Sequence, residues 1–399
     1  MPAERMRPLW ILPVIVFSQF AGTSLWFAGN AVLPELQREW NLPADSLGYI
    51  TSAVQFGFIA GTLVFAFCAI ADRYSPRIVF FACSVLGALS GAGIFLAAPH
   101  FPGLLLFRFL TGFFLAGIYP VGMKIAAGWY QRGLGSAIGF LVGALVLGTS
   151  FPHLLRALGT DIGWEAVTAG VSATAVLGGL SMLLFVPDGP HLVKGAGFDP
   201  RVLALIFRSR AFRASAFGYF GHMWELYAFW AFVPFVLAAH AARMPGPAPN
   251  VAFWSFCTIA AGFVGCAAGG VMSLRTGSAR VAFAQLSASG VCCALSPLLF
   301  HAPTPLFLAF LLFWGIVVVG DSPQFSTLNA QSAPPLLVGS ALTIANCIGF
   351  AISIVSIQLL NVLAAAVRPD YLFVPLAIGP ILGLVALRPL LRPVPALTA

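Results

Sequence analysis

The chain has 399 residues, of which 60% are hydrophobic and 8% are charged, and its formal net charge at pH 7 is +8. A soluble domain carries about 25% charged residues, so a globular fold of this length could not bury so much apolar surface. The composition excludes a soluble protein and predicts a chain whose solvent is the lipid bilayer. The 41 glycines and 29 prolines agree, because both residues are frequent in transmembrane helices.

Apolar stretches of about 20 residues, enough to cross a hydrocarbon core, recur along the whole chain. The first, from Leu9 to about Leu33, is too long for the core of a signal peptide and is kept as a span. The predicted spans are 10–33, 47–70, 78–98, 102–123, 134–156, 165–186, 212–238, 251–273, 279–300, 305–328, 339–363 and 371–388. We therefore expect an all-α integral membrane protein with twelve transmembrane helices.

The longest polar connector divides six spans from six. It contains acidic and basic residues, among them Asp188 and Arg208. We therefore predict an amino-terminal six-helix bundle over 1–187, a central cytoplasmic linker over 188–209 and a carboxy-terminal six-helix bundle over 210–399.

Lys and Arg residues are distributed unevenly over the connectors. If the amino terminus is cytoplasmic, most of the 20 face the cytoplasm. The exceptions are Arg38, Arg156, Arg243 and Arg368, which would lie outside, and Arg108, which falls within a span. The positive-inside rule predicts a multi-pass protein of the cell (inner) membrane with both termini cytoplasmic. The same asymmetry explains the net positive charge without a nucleic-acid partner.

The seven cysteines all lie in apolar stretches, with no CxxC pair and no metal-ligand spacing. We interpret them as small buried apolar residues rather than as disulfides or metal ligands. The sequence also has no nucleotide-binding glycine loop, so neither a cofactor nor ATP is expected.

The two halves of the chain resemble each other weakly when one is shifted by about 200 residues. The first match is between 17–34 and 217–234. In the second, Gly112, Gly117 and Pro120 correspond to Gly315, Gly320 and Pro323. In the third, Gly135-Ser136-Ala137 corresponds to Gly339-Ser340-Ala341. They occur in the same order in helices 1 and 7, 4 and 10, and 5 and 11. Parallel repeats around a binding site near the midplane are a transporter design, so we interpret the chain as a secondary transporter.

The connector between helices 2 and 3 reads Ala71-Asp72-Arg73-Tyr74-Ser75-Pro76-Arg77. It resembles the signature loop of the major facilitator superfamily, in which a Gly precedes Asp-Arg and another Gly and basic residues follow. Cys68 and Ser75 stand at the two Gly positions. Arg108 followed by Gly112 resembles the helix-4 motif of the superfamily. The resemblance implies two pseudo-symmetric six-helix bundles that work by alternating access, and it favours a monomer.

The resemblance assigns Asp72, with Arg73 and Arg77, to gating. A helix amino terminus carries about half a positive charge and unpaired amides. The resemblance places Asp72 near such a terminus, the cytoplasmic start of helix 11 at Gly339, where it would join the halves when the inner gate closes. Because Leu274 stands at the acidic position of the second-half loop, this latch should be one-sided. The alternative is that Asp72 and Arg73 only set the topology.

Three charged residues fall well inside spans: Arg108, Glu225 and Asp321. An ionised group at the bilayer centre is costly unless it is paired or hydrated, so these residues should face water or one another. His222 and Glu225, three residues apart, share a face of helix 7, and Pro323 should loosen helix 10 beside Asp321. We predict that Glu225 is a proton site and His222 its modulator or relay. Asp321 is the second proton-coupling candidate, and the structural alternative is that the acids pair with Arg108 or hydrogen-bond neighbouring helices.

Polar and aromatic residues of several helices would line the central cavity, because the resemblance places these helices around it. The predicted substrate-binding residues are Arg108, Gln19, Thr23, Asn30, Gln55, Tyr119, Trp224, Tyr227, Gln324 and Asn346. Arg108 would bind an anionic group with its planar fork or set the protonation of a nearby acid. The other residues could equally serve in packing or bond their own backbone.

We interpret the chain as a proton-coupled secondary active transporter, by symport, of a small organic solute. An organic anion is the first choice because of Arg108. The alternative is a proton-driven exporter of amphiphilic compounds, which the aromatic residues would suit. A divalent-metal carrier that uses His222, Glu225 and Asp321 is a weaker alternative. A non-transporting receptor or a membrane enzyme is weaker still, since the sequence has no long soluble domain and no catalytic spacing.

Overall fold

A computed structural model describes residues 8–130, 133–159, 162–192, 205–334 and 337–391. In this part of the chain, twelve helices are long and apolar enough to cross a membrane. They are α1 Ile11–Glu39, α2 Ser46–Phe67, α3 Pro76–Ala97, α4 Phe101–Trp129, α5 Leu134–Ala157, α6 Trp164–Phe185, α7 Arg210–Arg243, α8 Val251–Thr276, α9 Ser278–Phe300, α10 Thr304–Ser332, α11 Val338–Ala366 and α12 Pro369–Leu391. The prediction of twelve spans in an all-α membrane protein is confirmed.

Several helices extend beyond the apolar segments that predict them. The first reaches Glu39 rather than residue 33, α4 reaches Trp129 rather than 123, and α7 continues to Arg243 rather than 238. Hydropathy marks only the part of a helix that lies in hydrocarbon, whereas the helix itself can continue into the polar interface. We call the membrane face at which α1 begins the terminal face, and the opposite one the far face.

The spans interrupted near their middle include α1, α4 and α10, and also α8, whose two segments are separated by Ala261. The segments of α1 are Ile11–Thr23 and Ala28–Glu39, those of α4 are Phe101–Leu115 and Tyr119–Trp129, and those of α10 are Thr304–Gly320 and Ser322–Ser332. In α4 and α10 the second segment has a proline, Pro120 or Pro323, in its first turn. There the missing N–H costs no helical hydrogen bond. The predicted loosening of α10 is therefore confirmed, and α4 shares it through the matching proline.

The internal repeat is also visible in how the helices pack. In the first half Gly112 of α4 lies against the Val54 carbonyl of α2, and in the second half Gly315 of α10 lies against the Thr258 carbonyl of α8. A Cβ at either glycine would overlap that carbonyl oxygen, so only glycine permits the two backbones to approach so closely. The sequence match of Gly112 with Gly315 thus corresponds to the same contact in both halves.

Two seams join the halves: α2 packs on α11, and α5 packs on α8. The predicted linker, 188–209, is described only at its two ends, since 193–204 lie outside the described residues. Its beginning lies on the first half, where Asp188 accepts a hydrogen bond from Ser75 and the His191 amide donates to the Gly128 carbonyl. The proposed division of the chain at this linker stays a prediction.

Candidate functional site

The predicted proton-coupling residues lie together in the second half. His222 and Glu225 stand near the middle of α7, which is unbroken from Arg210 to Arg243. The His222 Nδ1 atom lies 2.8 Å from Asp321 Oδ1 on α10. None of these three side chains has exposed surface. The structure therefore forms one buried cluster from His222, Glu225 and Asp321, which we call the titratable cluster.

The interruption of α10 positions Asp321. This residue ends the segment Thr304–Gly320 and precedes the segment Ser322–Ser332. The neighbouring Gly320 leaves room for the carboxamide of Gln285 from α9, which also donates to the Gly265 carbonyl of α8 at 3.4 Å. Our sequence analysis did not single out Gln285. The available signal was an uncharged polar residue within an otherwise apolar span.

Glu225 is held by side chains of α9 and α10. Its Oε2 atom accepts hydrogen bonds from Ser289 Oγ at 2.8 Å and from Cys293 Sγ at 3.6 Å. Trp314 Nε1 donates to Ser289 Oγ at 3.1 Å. Because an indole N–H can only donate, it leaves the serine proton directed at Glu225. The sequence analysis missed Ser289 and Trp314, although Ser289 and Cys293 share a helix face at a spacing of four residues.

Aromatic rings cover the titratable cluster on the side of the terminal face. The ring of Tyr219 lies 6.1 Å from the His222 ring, and that of Phe325 lies 5.9 Å from it. The Tyr219 hydroxyl donates to Asn346 Oδ1 on α11 at 3.1 Å. Both rings lie about one turn nearer the terminal face than the groups they cover. These rings therefore separate the cluster from the part of α7 and α10 nearer that face.

The charges of the titratable cluster do not balance when both acids are ionised. Glu225 lies one turn along α7 from His222, so the cluster contains two buried carboxyl groups. In the part of the chain that the structure describes, the ion-pair partner of Asp321 is His222, and the bonds to Glu225 come from neutral groups. Two buried carboxylates with at most one cation are strongly disfavoured. The buried cluster is thus a place where the state of one acid depends on that of the other.

Arg108 lies elsewhere, inside the first half. Its guanidinium donates to the Leu25 carbonyl at 3.2 Å and to the Trp26 carbonyl, both within the interruption of α1. A small cavity beside it is lined only by residues of α1, α3, α4 and α6. The described ion-pair partner of Asp321 is His222 and not Arg108, whereas Glu225 does accept a hydrogen bond from the neighbouring helix α9, as the second part of the structural alternative predicts. The role of Arg108 as an anion ligand stays a prediction, and the bonds seen here are to backbone.

The predicted polar residues of α1 and α2 mostly bond one another or their own helix. Thr23 donates to the Gln19 carbonyl at 2.7 Å, and Asn30 Nδ2 donates to Thr51 at 2.8 Å. Gln55 accepts from the indole of Trp26 at 3.2 Å. The Gln19 side chain is buried against α4, and its amide atoms have no hydrogen-bond partner among the described residues. Asn30 Oδ1 and Gln55 Nε2 also lack a partner among the described residues, so each of these three side chains keeps a polar atom that a ligand or water could bond.

Aromatic side chains from both halves meet at the centre of the molecule. The ring of Trp26 stacks on Tyr227 at 5.7 Å and on Phe350 at 5.6 Å, while Phe58 lies 4.5 Å from Phe350 and Phe27 lies 6.2 Å from Trp230. They come from α1, α2, α7 and α11, and we call them the central aromatic cluster. Predicted residue Tyr227 belongs to it.

The remaining predicted ligands are dispersed. Trp224 faces α12, where its indole donates to the Pro375 carbonyl at 3.2 Å, so the structure does not bring it to the central aromatic cluster. Asn346 is bonded to Tyr219. Gln324 is buried in the second segment of α10, and Tyr119 begins the second segment of α4.

The predicted gating residues are seen in one conformation. Asp72 forms an ion pair with Lys124 of α4, and Lys124 also donates to the Ala71 carbonyl at 2.8 Å. A Cβ at Gly339 would meet no described atom within 4 Å. Arg77 lies near the Leu183 carbonyl at 3.4 Å, and Arg73 is exposed. The latch stays a prediction for the conformation in which the terminal face is closed.

In the described part of the chain, no group of three or more His, Cys, Asp and Glu side chains is arranged to hold a metal ion. The titratable cluster therefore gives the divalent-metal alternative no support of its own.

Comparison with known proteins identifies the family. Residues 15–357 match the family described as Major Facilitator Superfamily. The chain belongs to this superfamily. Membership makes it a membrane transporter of the secondary type and confirms the predicted fold of two six-helix bundles. No curated protein matches the chain.

Two solved structures show the same major facilitator fold. One is a major facilitator superfamily transporter, FucP, in the outward conformation, with a TM-score of 0.69 and 15% identity over 96% of this chain and 99% of that one. The other is a single-residue variant of the E. coli fucose:proton symporter FucP, with a TM-score of 0.65 and 15% identity over 97% of this chain and 100% of that one. At this identity the similarity concerns the fold.

Proposed function

We propose that this transporter is proton-coupled and that the titratable cluster is its proton site. The observation that carries the proposal is the buried pair of His222 and Asp321 beside a second buried carboxyl, that of Glu225. A cluster in which two ionised acids are disfavoured can bind a proton and release it when its surroundings change. The similarity in fold to a fucose:proton symporter supports proton coupling.

The structure suggests how protonation would couple to movement. Asp321 lies at the interruption of α10, whereas His222 and Glu225 lie on the continuous α7. Protonation of Asp321 would weaken its pairing with His222 and so loosen α10 from α7 at the point where α10 is not a continuous helix. Alternating access requires an element with two conformations that bind the proton with different affinity, so that protonation shifts the balance between them.

For the solute we propose an uncharged or amphiphilic organic molecule. The central aromatic cluster has ring faces from both halves, and the Gln55 amide is bonded to one of its rings, that of Trp26. The organic-anion hypothesis rests on Arg108, whose guanidinium is bonded to the backbone of α1. The geometry therefore favours the second of our two hypotheses about the solute class, while the direction of transport is a separate question.

The experiment starts from a thermal-shift screen of the purified protein against fucose, tetraphenylphosphonium and benzoate, which represent uncharged, cationic and anionic solutes. A ligand that binds the folded state raises its melting temperature with concentration. We expect fucose or tetraphenylphosphonium, and not benzoate, to do so. Stabilisation by benzoate alone would overturn the proposed solute class.

The proton site is then tested in proteoliposomes with the stabilising solute. Glu225→Gln mimics the protonated acid, so it should abolish accumulation driven by a pH gradient while solute exchange by counterflow continues. Glu165→Gln makes the same change at an exposed residue of α6 and should behave like the wild type. Unchanged gradient-driven accumulation by Glu225→Gln would exclude Glu225 as the proton site, and Asp321→Asn would then test the other acid.

A further inference from the structure

The start of α2 on the far face lacks a cap from its own segment. A helix begins with amides that have no intrahelical partner. Asp45 precedes α2, but its side chain makes no capping hydrogen bond. The amide of Gly48, the third residue of α2, therefore depends on a partner from elsewhere.

That partner comes from the other half of the transporter. Oδ1 of Asn361, near the far end of α11, accepts a hydrogen bond from the Gly48 amide at 3.1 Å. Nδ2 of the same side chain donates to the Asp45 carbonyl at 2.9 Å. About one turn along the seam, Gln358 donates to Ser52 at 2.7 Å. Asn361 is 8% exposed, so water does not readily replace these bonds.

Gly48 is fitted to this contact. A Cβ at Gly48 would overlap the Asn361 carboxamide, and the nearest atoms it would meet all belong to Asn361. Gly48 lies within the regular helix Ser46–Phe67 and is not among the positive-φ residues. The fit is therefore explained by the approach of Asn361 and not by a backbone conformation that glycine alone adopts.

In the second half, the corresponding helix amide is capped by a residue of the same half. The helix that matches α2 in the repeat is α8, which begins at Val251 on the far face. There the side chain of Asn250, immediately before the helix, accepts from the Phe253 amide at 3.0 Å. Phe253 is the third residue of α8, as Gly48 is of α2. The same amide is thus capped within one half in α8 and across the two halves in α2.

We infer that Asn361 stabilises the closed state of the far face by holding α2 against α11. We call this contact of Asn361 with the start of α2 the clasp. Opening the far face separates these helices and removes the cap from α2, so the clasp favours the far-closed state. The α5–α8 seam has no cap of this kind, because Asn250 bonds its own helix. The inference rests on membership of the superfamily and on the far-face contacts, and it is independent of the proposed proton site.

The test measures the opening of the far face by electron–electron double resonance. Spin labels are attached at Leu158→Cys in the first half and Tyr371→Cys in the second, both exposed positions of the far face. The partly or fully exposed native cysteines, Cys68, Cys257 and Cys347, are replaced by serine. Asn361→Ala should raise the ratio of the long-distance to the short-distance population by about tenfold, which corresponds to about 1.4 kcal/mol.

Asn250→Ala is the matched control, because it removes the equivalent cap without crossing between halves. It should lower the melting temperature and leave the distance distribution unchanged. An Asn361→Ala distribution like that of the wild type, or an equal shift in both variants, would overturn the inference.

Gly48→Ala supplies a second test that does not depend on Asn361→Ala folding well. Alanine favours a helix more than glycine does, so α2 itself should be preserved while the added methyl group displaces Asn361. We expect the same shift to long distances as in Asn361→Ala, and no further shift when the two changes are combined. Additive shifts would contradict a single shared contact.

Discussion

The first helix of each half shows how far the two halves have diverged. The segment 17–34 matches 217–234, yet α1 is interrupted between Thr23 and Ala28 whereas α7 is continuous through the matching positions. Arg108 donates to the carbonyls that the interruption leaves free. Its match in α10, by the alignment of Gly112 with Gly315, is Leu311. Leucine cannot bond a carbonyl, so a break in α7 would leave unpaired backbone groups in the membrane.

The buried charged residues have different partners in the two halves. In the first half the buried charge is used to support the backbone that carries Trp26 and Phe27 into the central aromatic cluster. In the second half a continuous helix keeps His222 and Glu225 at a constant spacing, where they meet α9 and α10. The two repeats have therefore diverged: an interrupted helix bonded to Arg108 in the first half corresponds to a continuous helix that carries His222 and Glu225 in the second.

The largest expected effect comes from removing the support of α1. Arg108→Leu installs the residue of the matching position and leaves the Leu25 and Trp26 carbonyls unpaired. The loss should be about 2 kcal/mol or more of stability, with transport reduced for every solute class alike. Thermal melting and uptake of anionic and uncharged solutes would measure it.

Arg108→Lys is the companion variant, since it keeps a donor but loses the planar fork. It should retain part of the stability and part of the transport. If Arg108→Leu instead melted like the wild type and lost only the transport of anions, Arg108 would be an anion ligand, and the comparison between α1 and α7 would fail.

A smaller effect is expected from the support of Glu225. Ser289→Ala removes the donor to Glu225 and leaves the Trp314 indole without its acceptor, at a cost of about 1 to 3 kcal/mol. Ser287→Ala on the same helix removes only a bond to the Phe283 carbonyl and should change stability little. Melting curves of the two variants, with the pH profile of uptake, would show the difference. Equal melting temperatures would mean that this network does not hold Glu225.

The smallest effect on stability is expected at the loop between α2 and α3. Asp72 and Lys124 are each about a quarter exposed, so their ion pair contributes about 1 kcal/mol or less. Asp72→Asn should therefore melt almost like the wild type but turn over more slowly, because the neutral side chain latches poorly to the start of α11. Initial uptake rates at matched expression would measure this. A wild-type rate would exclude the latch.

The sequence by itself determines the number of spans, the repeat and the three charged residues within the membrane. These features follow from local composition, because a bilayer requires about 20 apolar residues per helix and tolerates few charges. Pro323 likewise indicates the interruption of α10, but Pro234 lies within the continuous α7, so a proline in the sequence does not by itself decide where a helix is interrupted.

Only the tertiary structure decided which partners the polar residues have. Ser289 lies 64 residues from Glu225, Leu25 lies 83 from Arg108, and Asn361 lies 313 from Gly48. Hydropathy shows that such groups are buried and need partners, but it does not predict which helices from distant parts of the chain will pack together. Arg108 illustrates this limit. The sequence predicts that it is charged and lies within a span, but its bonds to the carbonyls of α1 form because the interruption of α1 faces α4.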